Sequence, residues 1–216
     1  MIDIYVHPTT QTQRVTIMVE ECGLPYRAIP IPLGSDEPAY VATGARGRVP
    51  AIVDHDTPDG KPMAMTQSNA ILLYLSEKAG GAMMPKDPRT RARALEWMMM
   101  LVTDVYPPFA AVYWMSWRKP EPFVEAAQWF EDRMIGEVAA FDRHMADKPY
   151  AAGGEYSVAD VAGYAQFRLA VEDFPALRRF ANVARWMDRV AARPAVQRGM
   201  AACGQGRPPG AIASRA

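Results

Sequence analysis

At 216 residues the chain can form one large domain or two small ones with ample core. Lys plus Arg equals Asp plus Glu, 24 of each, which leaves no electrostatic footprint for nucleic acid or an acidic membrane surface. No apolar run approaches the roughly 18 residues needed to span a bilayer. The chain opens into a strand pattern with no basic region or signal-peptide core. Its two cysteines, Cys22 and Cys203, are too few and too distant in sequence for a disulfide framework, so a reducing cytoplasm is the expected location.

In chain order, residues 2–6 read as a strand, about 12–23 as a helix and 27–31 as a second strand. Gly34 to Gly47 is rich in Gly, Pro and Asp and reads as a loop with little regular structure. Ala51–Asp54 and Pro62–Met65 flank a segment containing Pro58 and Asp59-Gly60, which are turn formers, so the two runs form a hairpin. Ser68 to Lys78 is a helix closed by Gly80-Gly81. The order βαβ, loop, ββα is that of a thioredoxin-like domain over residues 1–80.

From residue 88 to 216 only helical periodicity remains. Arg89 to about Trp117 is a helix bent near Pro107-Pro108, Glu121 to Asp147 a second, and Ser157 to Ala170 a third. The third starts with Ser157 and Asp160 in a capping box, flanked by Tyr156 and Val161 as a hydrophobic staple. A helix over about 176–192 and a short one from Pro194 follow, and the Gly- and Pro-rich tail from Gly204 is expected to be mobile. The fold class is therefore α/β plus all-α, a thioredoxin-like domain followed by a helical bundle.

Two short features point to a ligand. Val49-Pro50 stands at the entrance of a strand, where proline cannot donate to a sheet, so the pair reads as a bend. A cis bond there would turn the Val49 N–H and C=O towards an extended, peptide-like ligand. Gln67-Ser68 stands at a helix start, where free N–H groups favour a carboxylate. A small molecule with a peptide backbone and a free carboxylate suits both, and glutathione fits that description.

These features carry a resemblance to glutathione transferases that spans nearly the whole chain. It rests on the first strand Met1–Tyr5, the helix and turn Arg14–Tyr26, Val49-Pro50, Gln67-Ser68-Asn69-Ala70-Ile71, Tyr156–Asp160 and Ala191–Val196. The start also resembles the bacterial Nu class, in Met1-Ile2-Asp3, in Pro8-Thr9 and in Ile52-Val53-Asp54-His55.

The resemblance implies glutathione as co-substrate, no metal, and a homodimer. It puts the thiol-activating group just after the first strand, in His7-Pro8-Thr9-Thr10-Gln11-Thr12. A hydroxyl donating to sulfur at a helix N-terminus favours the thiolate of a thiol whose unperturbed pKa is ~8.5. Thr9 is the candidate, with Thr10 and Thr12 as alternatives and simple helix capping as the competing role. Nu-class chains usually carry Asn two residues later; Gln11 offers the same amide from a longer arm. No cysteine stands in this segment, so redox chemistry would use glutathione's own sulfur.

Gln67 and Ser68 would hold the γ-glutamyl end, although Gln67 lacks the charge of the glutamate often found there. Val49 and Pro50 would hold the cysteinyl unit, and Arg48 the glycyl carboxylate unless it is merely solvated. In the helical half, Tyr113, Trp114 and Trp117 are the candidates for an apolar second-substrate site, with core or dimer contact as the competing role. Asp104 could meet the glutamyl ammonium across a dimer interface, or simply face solvent. His7, His55 and His144 show no ligand spacing, so no metal is expected.

The implied activity is attack of the glutathione thiolate on a small apolar electrophile or a disulfide, with glutathione-dependent disulfide reduction favoured and detoxification as the broad role. The alternatives are a non-catalytic glutathione-binding or protein-docking module, and a glutathione-dependent lyase or isomerase.

Overall fold

In the computed structural model, residues 1–117 and 123–204 are described. They divide into two compact units: Met1–Met84 with the returning segment from Ala191, and Pro85–Val190.

The first unit is built on four strands, β1 (Ile2–Val6), β2 (Tyr26–Pro30), β3 (Ala51–Asp54) and β4 (Met63–Thr66), in the order β2-β1-β3-β4. β1 and β2 run parallel, while β3 is antiparallel to both β1 and β4. Alternation sorts β1 into two faces. Ile2, Ile4 and Val6 lie on one, and Tyr5 lies on the other in a cluster with Ile31, Tyr40, Ala45 and Ala51.

α1 (Thr10–Glu21) follows β1, a single helical turn α2 (Pro38–Val41) interrupts the long loop, and α3 (Ser68–Lys78) closes the ββα segment. α3 is anchored through Asp54, which is wholly buried and accepts the Tyr74 hydroxyl at 2.5 Å and pairs with Lys78 at 2.9 Å.

The second unit holds α4 (Pro88–Met100), a π-helical turn (Leu101–Val105), α5 (Tyr106–Trp117), α6 (Val124–His144), α7 (Val158–Asp173), a 3₁₀ turn (Pro175–Arg179) and α8 (Ala181–Ala191). The π turn ends two residues before Pro107-Pro108, where a bend is expected and the hydrogen-bond ladder is interrupted. The Thr103 carbonyl would accept from residue 107 in an α-helix or 108 in a π-helix, and both are prolines with no N–H. Asp160 fixes the start of α7. It is buried and accepts from the N–H groups of Ser157 (2.9 Å) and Ala151 (2.8 Å) and from the Trp186 indole (2.8 Å). Burial pushes its carboxyl pKa up, against the pull of these donors.

Differences from the expected elements sit at their ends. α1 starts two residues earlier than the pattern suggested, because Thr9 caps it. The expected helix from residue 176 splits into the 3₁₀ turn and α8. Residues 121 and 122 of the expected second long helix, and the tail from residue 205, lie outside the described residues. No described helix is long and apolar enough to cross a membrane.

The last helix, α9 (Pro194–Ala202), packs on α1 in the first unit. Arg193 pairs bidentately with Glu21 at 2.6 and 2.7 Å, and Arg198 pairs with Glu20 at 2.7 Å. Gly199 permits the approach, since a Cβ there would lie 2.5 Å from the Ile17 Cα. Backbone cannot yield as a flexible side chain can. Gly199→Ala should therefore force α1 and α9 apart and destabilise the protein by about 1–3 kcal/mol. Urea unfolding measures this, and a midpoint unchanged from the parent would contradict it.

Candidate functional site

Sheet register brings three separate segments to one edge. Tyr5 of β1 stands opposite Ala51, the first residue of β3, and Ala51 stands opposite Thr66, the last of β4. The segment after β1 (His7–Thr9), the segment before β3 (Arg48–Pro50) and the segment after β4 (Gln67-Ser68) therefore leave the sheet at the same end.

Thr9 is the N-cap of α1, in an extended conformation. Its hydroxyl oxygen accepts the Thr12 N–H at 3.3 Å and lies 3.1 Å from the Thr12 hydroxyl. Thr9 is half-buried, whereas Thr10 and Thr12 are buried, so of the three hydroxyls Thr9 is the one open to a ligand. The Gln11 amide nitrogen is buried with no hydrogen-bond partner among the described residues, an unmet donor two residues from Thr9.

The turn before α1 is tied from two sides. The His7 Nδ1–H donates to the Ile31 carbonyl at 3.1 Å, which fixes the tautomer. The His7 carbonyl accepts the Thr9 N–H at 2.6 Å and the Cys203 thiol at 3.4 Å. Cys203 caps α9 and is buried, and burial pushes its thiol pKa up to about 11 against a weaker pull from the Thr9 N–H.

The Val49-Pro50 bond is cis. Neither the N–H nor the C=O of Val49 has a hydrogen-bond partner among the described residues, although Val49 is half-buried. Such a backbone pair calls for an outside partner. Arg48 uses its carbonyl to accept the Tyr40 hydroxyl at 2.7 Å and leaves its side chain exposed.

Gln67 holds φ 71° and ψ 99°, a left-handed conformation that costs a non-glycine residue about 1–3 kcal/mol. It is the cap residue of α3, yet no side chain caps that helix. Ser68 is the first helical residue, is buried, and its hydroxyl has no partner among the described residues. The result is an α-helix N-terminus with unfilled N–H groups and a spare hydroxyl, which favours a carboxylate. Arg14, buried in α1, donates to Asn69 at 3.1 Å and braces the start of α3.

The remaining candidates belong to the second unit. Asp104 is half-buried in the π turn. Tyr113 is half-buried and Trp114 is 58% exposed, with the rings edge to face at 5.8 Å. The side chain of Trp117 lies outside the described residues. Trp97 stacks on His144 at 3.8 Å, and the His144 ring donates to the Ala151 carbonyl at 2.8 Å. Among the described residues no group of three or more His, Cys, Asp or Glu could hold a metal ion. An open trough of about 880 Å³ lies on the sheet face of Asp3, Tyr5, Arg27, Ile29, Val53 and His55, and none of the candidate residues lines it.

Family models described as "Glutathione S-transferase, N-terminal domain" and "Glutathione S-transferase, C-terminal domain" match residues 10–78 and 103–199. The chain belongs to the glutathione S-transferase family. The disulfide-bond oxidoreductase YfcG of Escherichia coli is 29% identical over 199 residues, 90% of this chain and 92% of the relative. A glutathione transferase from Pseudomonas putida, solved with one glutathione disulfide bound per subunit, is 30% identical with a TM-score of 0.84, over 93% of this chain and 90% of that one. A family member from Pseudomonas fluorescens, solved with two glutathione bound, is 26% identical with a TM-score of 0.84, over 92% of each chain.

Sequence reasoning did not single out His7 or Cys203 as supports of Thr9. Nothing in the sequence announces that Cys203 returns to His7, 196 positions away. Both cysteines are free, and burial pushes each thiol pKa up to about 11. A raised thiol pKa keeps the neutral form, so at pH 8 the thiolate fraction of each should be on the order of 0.1%, against roughly a quarter for an unperturbed thiol. Thiol-reagent labelling at pH 8 should be slow for both in the native protein and fast after unfolding. Fast native labelling of Cys203 would contradict its burial beneath the turn.

Proposed function

We propose that this chain binds glutathione at the common end of β1, β3 and β4, with its sulfur at Thr9, and works as a glutathione-dependent disulfide reductase. The observation that carries the reading is the set of unfilled groups gathered there: the Val49 N–H and C=O, the N-terminus of α3 with Ser68, and the Gln11 amide. They match, in order, a peptide unit, a carboxylate and a second polar or thiol group. A protein-docking module would not need to leave these groups unmet, so the arrangement favours glutathione binding over docking. The partly open Thr9 hydroxyl at the same end favours catalysis. The names of relatives support disulfide chemistry over conjugation.

In this reading the glutamyl carboxylate sits on Ser68 and the α3 N–H groups, with Gln67 beside it, and the cysteinyl unit pairs with Val49 next to Pro50. Arg48 is free to swing towards the glycyl carboxylate. Residues 1–80 form the glutathione-binding domain. The helical unit Pro85–Val190 carries the second-substrate site, with Tyr113 and Trp114 in its lining.

Thr9 donates to the sulfur and holds it as thiolate. That thiolate attacks one sulfur of a disulfide, a new S–S bond forms, and the other sulfur leaves as a thiolate that takes a proton from water. A second glutathione, aided by Gln11, attacks the mixed disulfide in the same way, so two glutathione molecules supply both electrons and end as glutathione disulfide. A reducing cytoplasm would supply that glutathione.

Thr9→Val keeps the shape and removes the donor. Disulfide reduction near pH 7 should fall about 10-fold or more through a raised pKa of the bound sulfur, with little change in glutathione affinity. A pH–rate profile superimposed on the parent's would remove Thr9 from the mechanism.

Gln67→Ala and Ser68→Ala touch a part of the ligand remote from sulfur. Each should raise KM for glutathione more than it lowers kcat, by about 1–3 kcal/mol where the lost bond is charge-assisted. Calorimetry with unchanged affinity in both variants would move the carboxylate elsewhere.

We also propose a homodimer that joins the thioredoxin-like half of one subunit to the helical half of the other and lets Asp104 face the partner's glutathione. Phe123, Val124 and Trp129, at the start of α6, are each more than half exposed, apolar side chains that favour a covering partner. Light scattering should give about twice 23.9 kDa at micromolar concentration, and a mass near 23.9 kDa would contradict the dimer.

A further inference from the structure

The direction of one hydrogen bond at the site follows from accounting. The Thr9 and Thr12 hydroxyl oxygens are 3.1 Å apart, and either could donate. Thr12 is wholly buried, and the Thr9 oxygen is the sole partner of its hydroxyl among the described residues. Were Thr9 the donor, the Thr12 hydrogen would be buried with no acceptor, which carries the full desolvation penalty of an unmet donor. Thr12 must therefore donate to Thr9.

The Thr9 oxygen then accepts twice, from the Thr12 hydroxyl and from the Thr12 N–H at 3.3 Å. A hydroxyl has two lone pairs and one hydrogen. With both lone pairs filled from inside the helix, the Thr9 hydrogen has no partner among the described residues and is directed outwards. Accepting two bonds also strengthens a hydroxyl as a donor, because successive hydrogen bonds polarise one another.

We infer that Thr12 is a positioning residue: its buried hydroxyl fixes the Thr9 hydroxyl with its hydrogen towards the ligand, so that Thr9 meets a thiolate as donor and never as acceptor. This rests on the reading of Thr9 as the group that faces sulfur. It adds a residue that touches no substrate and accounts for the Thr-x-x-Thr spacing. A helix cap needs one hydroxyl at the first position, whereas orienting that hydroxyl needs a second one three residues on, inside the helix.

The test is a titration of the thiolate of enzyme-bound glutathione by its ultraviolet absorbance, in the parent, Thr12→Val, Thr12→Ser, Thr9→Val and the double Thr9→Val/Thr12→Val variant. Thr12→Val should raise the apparent pKa of the bound sulfur and slow disulfide reduction near pH 7 by about 3- to 10-fold. The deficit should close as pH rises past the shifted pKa, and glutathione affinity should stay at the parent value. Thr12→Ser, which restores the hydroxyl, should return the rate to within about twofold of the parent. On the Thr9→Val background, removing the Thr12 hydroxyl should have no further effect, since there is nothing left to orient.

A Thr12→Val profile that overlays the parent while Thr9→Val shifts would overturn the role of Thr12 and leave that of Thr9 standing. An equal loss from Thr12→Val in both backgrounds, or no recovery in Thr12→Ser, would also overturn it by marking a packing effect. If neither Thr9→Val nor Thr12→Val shifts the titration, both readings fall. Should Thr12→Val fail to fold, Thr12→Ala supports the same comparison.

Discussion

Helix α1 starts at Thr9 because the Thr9 hydroxyl accepts the Thr12 N–H, and the arrangement of the site depends on that starting point. The cap directs the first turn so that Thr9 is partly open while Thr10 and Thr12 are buried. It also leaves the Thr9 N–H bonded to the His7 carbonyl, so the strand-to-helix turn is fixed at both of its ends. One residue's shift in the helix start would exchange the exposed hydroxyl for a buried one. The cap is structural, and in the proposed reading the same hydroxyl also faces the glutathione sulfur, so the two roles do not compete.

The rest of the first unit holds that turn in place. α9 lies against α1 at a distance only Gly199 allows, with two arginine–glutamate pairs along the contact, and its end carries Cys203 to the His7 carbonyl. Pairs of this kind contribute little singly at an exposed surface, but Glu21 is nearly buried and its Arg193 partner is bidentate, which favours geometric precision. The sheet contributes register: because Tyr5 opposes Ala51 and Ala51 opposes Thr66, the segments bearing Thr9, Val49 and Ser68 emerge together.

Much of this was legible in the sequence. Strand alternation in Ile2–Val6, the Pro58 and Asp59-Gly60 turn, and the Ser157-Asp160 box gave the elements, because each is a local pattern with a local cause. Val49-Pro50 and Gln67-Ser68 stood out because proline at a strand entrance and a polar pair at a helix start have few explanations. What was not legible depends on distance or burial. The early start of α1 was hidden in a run of hydroxyls, any of which can cap. The π turn was not legible, since the sequence shows that Pro107 and Pro108 remove donors but not how the helix accommodates the loss. The donor direction inferred for Thr12 depends on its hydroxyl being buried with Thr9 as its one partner among the described residues.

The central claim is that unfilled groups of three segments form one glutathione site with Thr9 at the sulfur. A crystal structure of the protein with glutathione bound tests it most directly. The account predicts the sulfur within about 3.5 Å of the Thr9 hydroxyl oxygen, the Val49 N–H and C=O paired with the cysteinyl unit, and the glutamyl carboxylate on Ser68. A glutathione bound with its sulfur away from Thr9 and the Val49 backbone still unpaired would contradict it.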